Sequence, residues 1–258
     1  MIPQTASSDA PALETRGLSK SFGPLKVVSD VDFRLERGAR QALVGPNGAG
    51  KTTLINLLTG NLRPSAGKVF VAGQDVSRLA VYGRVRKGLA RTFQINQLLR
   101  EFSVLENVQL AVLEAAGEGA ILFGGKAAQK EAALAAYEIL ESLNLAGDAT
   151  SIVAELAYGR QRLVEIAVAL ALRPSVLLLD EPAAGVPPAD SHAVFTLIEA
   201  LPKSVSVLFV EHDMKIVARF AERISVLVAG RIVREGTPAE IASDAYVRDI
   251  YLGHRNHG

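Results

Sequence analysis

Three glycines, a lysine and two threonines stand together in Gly45-Pro46-Asn47-Gly48-Ala49-Gly50-Lys51-Thr52-Thr53. The order fits G-x-x-x-x-G-K-[ST], a pattern whose chemistry is the grip of phosphate. Glycines let the backbone curl until successive N–H groups point inward at phosphate oxygens. A helix starting behind the loop adds partial positive charge. Lys51 is placed to reach the outer phosphates and the Thr52 hydroxyl to hold Mg²⁺. A tight turn with no ligand is the competing reading of Gly45, Gly48 and Gly50. An apolar run at 41–44 and the Leu54-Ile55-Asn56-Leu57-Leu58 stretch that follows give the strand-before, helix-after context that phosphate binding requires.

A second group of chemically capable residues is Asp180-Glu181, which closes the apolar run 176–179. An acid at such a strand end can hold Mg²⁺, and Asp180 suits that role. Glu181 points elsewhere and can polarise an attacking water as a general base. Solvated acids at a strand-end turn before Pro182 are the alternative. His212 follows another apolar run, in Val210-Glu211-His212-Asp213, from where it could contact the outermost phosphate. A histidine so placed is more often structural, so this assignment rests on its order relative to the other two groups. Gln94, in Arg91-Thr92-Phe93-Gln94, could add a ligand to Mg²⁺ or to the lytic water; alone it is an ordinary polar residue. Of the other histidines, His192 lies on an expected helix and reads as surface, and His254 and His257 lie in a polar tail.

The elements that must position these groups are partly legible. Short runs rich in Val, Ile and Leu at 41–44, 69–72, 176–179 and 205–210 read as strands, three of them buried on both faces. Helical patterns separate them, which predicts an α/β protein with a largely parallel sheet. Residues 13–35 alternate and predict an antiparallel strand pair near the nucleotide. From Gly88 to Leu172 the pattern turns helical. Residues 126–143 are Ala-rich, with Ala136, Leu140 and Leu143 on one face, and the glycine-rich stretch 114–125 reads as a loop. Gly230 breaks two β-like runs into a hairpin. Thr237-Pro238-Ala239-Glu240 is a capping box with Pro at the first helical position, which predicts a C-terminal helix over about 238–252. Residues 1–11 read as a disordered tail, and 12–258 as a single domain, with a core over 12–90 and 173–240 and a helical subdomain over about 91–172.

Composition narrows the function classes. The chain has 258 residues, of which 49% are hydrophobic, and a formal net charge of +1. Such a balance offers no global field for nucleic acid. It has no Cys, which excludes disulfides and thiolate metal sites. No segment reaches the ~18 uninterrupted apolar residues of a membrane span. The expectation is a cytoplasmic protein that reaches a membrane only through a partner.

In order, Phe22, Gly45 to Thr53, Gln94, Leu156-Ala157-Tyr158-Gly159-Arg160-Gln161-Arg162, Asp180-Glu181 and His212 resemble the ATPase subunit of ATP-binding cassette (ABC) transporters, over about residues 12–253. The resemblance implies a P-loop NTPase (RecA-like) α/β core with an antiparallel β subdomain and an inserted helical subdomain. It also implies ATP and Mg²⁺ as ligands. Phe22 then matches the aromatic residue that stacks on adenine, and Gly45 to Thr53 the Walker A loop. Gln94 matches the Q-loop glutamine, Asp180 and Glu181 the Walker B aspartate and catalytic glutamate, and His212 the switch histidine. Leu156, Ala157, Tyr158, Gly159 and Arg160 match the signature that grips ATP held by a second subunit. There Ala157 stands where a serine is usual, Tyr158 replaces a glycine and Arg160 a glutamine. The segment Ala183-Ala184-Gly185-Val186-Pro187-Pro188 lacks the usual D-loop aspartate.

These departures, with Ala90-Arg91-Thr92-Phe93-Gln94, Val210-Glu211-His212-Asp213-Met214 and Tyr251-Leu252-Gly253, resemble the branched-chain amino-acid importer ATPases, a group that also includes urea, amide and aromatic-acid importers. The implied partners are a second ATPase subunit facing head to tail, transmembrane permease subunits and, indirectly, a solute-binding protein. Residues 95–108 would meet the permeases. An exporter or lipid-transport subunit, a regulatory subunit with little turnover, and a non-transport ATPase of the same family are the competing expectations.

Overall fold

The computed structural model describes residues 10–92, 98–117, 126–186 and 188–253. In chain order the elements are β1 (Leu13–Phe22), β2 (Leu25–Leu35), β3 (Arg40–Val44), α1 (Lys51–Thr59), β4 (Ala66–Val71), β5 (Gln74–Asp75), α2 (Val81–Val85), β6 (Leu89–Arg91), α3 (Val104–Ala115), α4 (Lys126–Ser142), α5 (Tyr158–Ala171), β7 (Val176–Asp180), α6 (Pro188–Ala200), β8 (Ser206–Val210), α7 (Met214–Phe220), β9 (Arg223–Val228), β10 (Arg231–Gly236), α8 (Pro238–Ser243) and α9 (Ala245–Gly253).

They build two sheets, one ordered β2-β1-β4-β5 and the other β10-β9-β3-β8-β7-β6. In the second, β3 pairs in parallel with β8 and β9, and β7 with β8 and β6. Every residue of β3, β7 and β8 is buried, because both faces of this sheet are covered. Alternate side chains serve two cores. Ala42, Val44, Leu177, Leu179, Val207 and Phe209 join one that also holds Val104, Val108, Ala136, Leu140, Val164 and Ala167 from the helical segment. Leu43, Val176, Leu178, Leu208 and Val210 join another, with α1 and the antiparallel sheet. The helical segment thus shares its core with the main sheet.

Several expectations need correction. The run 69–72 lies mostly in β4, which pairs antiparallel with β1 and is no part of the parallel sheet. The stretch after Gly88 is not helical from its start, since Leu89–Arg91 forms the edge strand on β7. The C-terminal helix is two: α8 ends at Asp244, whose side chain then accepts from Val247 N at 2.9 Å and starts α9. Helix α3 falls within the stretch expected to be helical, and Ser103 and Glu106, not read beforehand, form a capping box in front of it. Near the start, Arg37 Nε donates to Ala10 O at 2.9 Å and Pro11 is buried, so these two residues of the expected tail lie against the protein. The antiparallel pair β1–β2, the hairpin β9–β10 and the Thr237 capping box with Pro at the first position stand where they were expected.

One buried cation fixes the helix that carries Lys51. Arg84, 1% exposed, donates through Nη1 to Leu57 O and Leu58 O, both at 2.6 Å, at the C-terminal end of α1. Its other nitrogens reach Leu79 O and Ser77 O. Burial pushes its pKa down to about 10, so the guanidinium stays charged at neutral pH and complements the negative end of the helix. Replacing it by Leu strands those carbonyls. The Arg84→Leu variant should lose about 3 kcal/mol, lowering the thermal midpoint by about 6–12 °C in a chain of this size. Differential scanning fluorimetry checks this; a midpoint within ~2 °C of the parent protein would show that the carbonyls find other donors.

Candidate functional site

At the end of β3 the backbone enters a gap too narrow for a side chain. A Cβ on Gly45 would lie 2.1 Å from Leu227 O. Gly50, at φ +101, would place one 2.8 Å from Val27 O. Glycine alone fits both points. The loop is further tied down where Gly230 N donates to Ala49 O and Ser29 N to Gly230 O, both at 2.8 Å. Thus β2 and the β9–β10 turn form its walls. Gly50 caps α1 without a side-chain acceptor, and Leu54 N makes the first helical bond to Gly50 O. The amides of Lys51, Thr52 and Thr53 therefore lack a helical acceptor and face the place where an anion would sit.

Pro46 and Gly50 are half-buried, Ala49 is buried, and Asn47, Gly48 and Thr52 are exposed at the mouth of this cradle. Lys51 is buried, and its Nζ donates to Gly45 O at 2.7 Å and Pro46 O at 3.1 Å. Burial lowers its pKa; the carboxylates of Glu181 and then Asp180 pull it back up. The two sequence groups thus sit within electrostatic reach of each other.

Asp180 ends β7 at 2% exposure and accepts from Arg91 Nη2 at 2.7 Å. Arg91 Nη1 also donates to Asn56 Oδ1 at 2.7 Å, so one guanidinium joins α1, β6 and β7. Glu181 turns away at φ +48, an uncommon region for a residue with a Cβ and one found where surrounding structure imposes it. Its N–H donates to Val210 O at 3.1 Å. Its Oε1 lies 2.5 Å from His212 Nε2.

The remaining candidates divide. Phe22 closes β1 at 47% exposure, with Lys20 Nζ 5.1 Å from its ring centroid, leaving a face on which a flat ligand can stack. Leu156, Ala157, Tyr158, Gly159 and Arg160 lie at the start of α5. Ala157 is its N-cap and offers no side-chain acceptor; its carbonyl takes the Arg160 and Gln161 amides, which leaves those of Tyr158 and Gly159 without a helical acceptor. Arg160 is turned back onto Asp148, through Nε at 2.8 Å and through Nη2. The Tyr158 ring lies against Gly185, where a Cβ would meet its Cε1 at 3.1 Å. No hydrogen bond or ion pair of the described residues joins 156–160 to the cradle. Gln94 and Phe93 lie outside the described residues, as do His254 and His257. His192 is exposed on α6, its Nε2 2.6 Å from Arg219 Nη1.

Among the described residues no group of three or more His, Cys, Asp or Glu is set to hold a metal. The Thr52 hydroxyl and the Asp180 carboxylate are oxygen donors of the type that a hard ion such as Mg²⁺ takes beside the oxygens of a polyphosphate. Sequence reading passed over Arg91 and Asn56. Arg91 stood in a quoted motif, but its partner is 89 positions away.

A sequence model of the family described as ABC transporter matches residues 28–184. The chain is 38% identical over 250 residues to the high-affinity branched-chain amino acid transport ATP-binding protein BraF of Pseudomonas aeruginosa, covering 94% of this chain and 98% of that one. It is 38% identical over 252 residues to the corresponding LivG protein of Escherichia coli K12, covering 94% and 98%. Among solved structures it resembles an ATP-binding cassette of an ABC transporter in its ADP conformation, with TM-score 0.81, 32% identity and coverage of 94% and 99%. A nucleotide-free cassette matches with TM-score 0.80 and 32% identity, over 93% and 98%.

The buried Arg91–Asp180 pair makes a test independent of any ligand. Arg91→Leu leaves a buried carboxylate without its cation and should cost about 3 kcal/mol. The double variant with Asp180→Leu should cost less than the sum of the two singles by about 1–3 kcal/mol. Urea unfolding of the four proteins measures the difference; additive costs would show that the pair is not coupled.

Proposed function

Because the chain belongs to the ABC transporter ATP-binding family, we propose that it binds ATP with Mg²⁺ and hydrolyses it to power an importer of branched-chain amino acids or related small solutes such as urea, amides and aromatic acids. The observation that carries this reading is the convergence of Lys51, Asp180, Glu181 and His212 at the ends of β3, β7 and β8, with Glu181 on His212 at 2.5 Å. In this reading the domain spans 12–258, with its helical subdomain over 91–172. It works cytoplasmically, held on the inner face of the membrane by permease subunits; among the described residues no helix is long and apolar enough to cross one.

Two such subunits face each other head to tail, and each ATP lies between Gly45 to Thr53 of one and the Gly159 region of its mate. Phe22 stacks on the adenine. Lys51 exchanges the carbonyls of Gly45 and Pro46 for phosphate oxygens, joined by the loop amides and those at the start of α5. Thr52, Asp180 and Gln94 would hold Mg²⁺, which would offset phosphate charge. Glu181 orients a water and takes its proton as the water oxygen bonds to the γ-phosphorus. The bond from that phosphorus to the bridging oxygen breaks, and ADP leaves with that oxygen. His212 holds Glu181 in place and reaches toward the γ-phosphoryl group. Exposed Leu99 and Phe102, after Gln94, suit contact with permease subunits. A solute-binding protein delivers the cargo to those permeases.

Glu181→Gln should reduce turnover by about 100-fold or more while leaving ATP bound. Lys51→Ala should weaken ATP affinity about tenfold or more, since it removes a charge-assisted phosphate contact. Steady-state phosphate release and equilibrium nucleotide binding check the pair. Parental turnover in the first variant would remove Glu181 from its role, and parental affinity in the second would do the same for Lys51.

A further inference from the structure

Glu211 belongs to neither metal nor phosphate grip, yet it is a carboxylate at 7% exposure one residue past the end of β8. Carboxylates are rarely so buried unless paired. Its Oε2 accepts from His212 N at 3.2 Å, and its Oε1 is buried with no hydrogen-bond partner. Burial pushes this carboxyl up. The N–H groups of His212 and Ala183 draw it back down, and the Glu181 carboxylate adds a smaller upward push.

The backbone shows why a group is needed there. β7 and β8 pair as far as Asp180 with Val210, and Glu181 N donates one last bond to Val210 O. Beyond that point the chains part. One turns through Ala184 N to Glu181 O and Val186 N to Ala183 O. The other enters α7, where Asp213 accepts from Lys215 N. The Glu211 carboxylate is buried where the chains part, with Oε2 on the His212 amide and Oε1 without a hydrogen-bond partner. Glu181 also sits at φ +48, a conformation that surrounding contacts must hold. A leucine of similar volume would avoid the cost of burying charge.

We propose that Glu211 is a positioning residue, a buried carboxylate that braces the His212 backbone just past the last β7–β8 bond and keeps Glu181 Oε1 against His212 Nε2. It acts through those two residues and touches no reacting atom, and it rests on the ATP-hydrolysis reading above. The full chain tests it, as the parent protein and with Glu211→Leu and Glu211→Gln. Four quantities are compared: kcat, KM for ATP, the thermal midpoint, and hydrogen exchange of peptides covering 181–186 and 211–213.

Glu211→Leu should lower kcat about tenfold or more, leave KM within about twofold, and hold or raise the midpoint. Exchange should speed up in both segments. Glu211→Gln retains one acceptor oxygen for the His212 amide and should recover part of the lost kcat and protection. Should the leucine variant fail to fold, the glutamine variant carries the test, as a kcat loss at unchanged midpoint. Turnover within about twofold of the parent for the leucine variant overturns the proposal. So does a joint fall of kcat, ATP affinity and midpoint, or unchanged exchange in both segments. A parent chain that never hydrolyses ATP would instead remove the hydrolysis reading, and the exchange measurement would still decide whether Glu211 joins the two segments.

Discussion

β3, β8 and β7 are buried on both faces and paired in parallel, with Leu43 level with Val210 and Val210 level with Asp180. That pairing makes the loop at Gly45, the acid pair at 180–181 and the histidine at 212 leave the sheet at one edge and one height. Strand register has a period of two, so a slip of one residue would turn each apolar set to the wrong face. The two cores on either side forbid that slip. Hydrophobic burial, which is non-directional, is thereby converted into placement of polar atoms at 2.5 and 2.7 Å.

The glycine loop adds a second layer of constraint. Its amides are aimed by backbone walls, since Val27 O and Leu227 O stand where side chains of Gly50 and Gly45 would go. Arg84 ties the far end of α1, and Arg91 ties its middle to Asp180 through Asn56. Lys51 rests on loop carbonyls with two carboxylates nearby. The site is therefore preorganised from both ends of the helix, and a polyphosphate would replace carbonyl partners without a large rearrangement of the frame.

Much of this was legible in the chain. The glycine loop, the strand ends at 44, 180 and 210, the β9–β10 hairpin and the Thr237 cap have local signals, in residue type or apolar run length. What was missed depends on partners distant in sequence. Leu89–Arg91 is too short to show a period and becomes a strand only because β7 lies beside it. The run 69–72 looks like its buried parallel counterparts, yet pairing with β1 assigns it to the other sheet. Arg91, Arg84 and Glu211 read as ordinary charges until burial and partners are known. The capping box at Ser103 and Glu106 was a local signal for α3 that went unread.

The neighbours of β3 carry a consequence for how the molecule is made. β3 ends at residue 44, but the strands on its two sides, β8 and β9, comprise residues 206–210 and 223–228. As the ribosome extends the chain, β3 waits until residues 206–210 have been made for its first flank. Until then its backbone is unsheltered, and the neighbouring Gly45 lacks the wall that Leu227 provides. The nascent protein must keep this stretch from pairing elsewhere long after its own codons have been read.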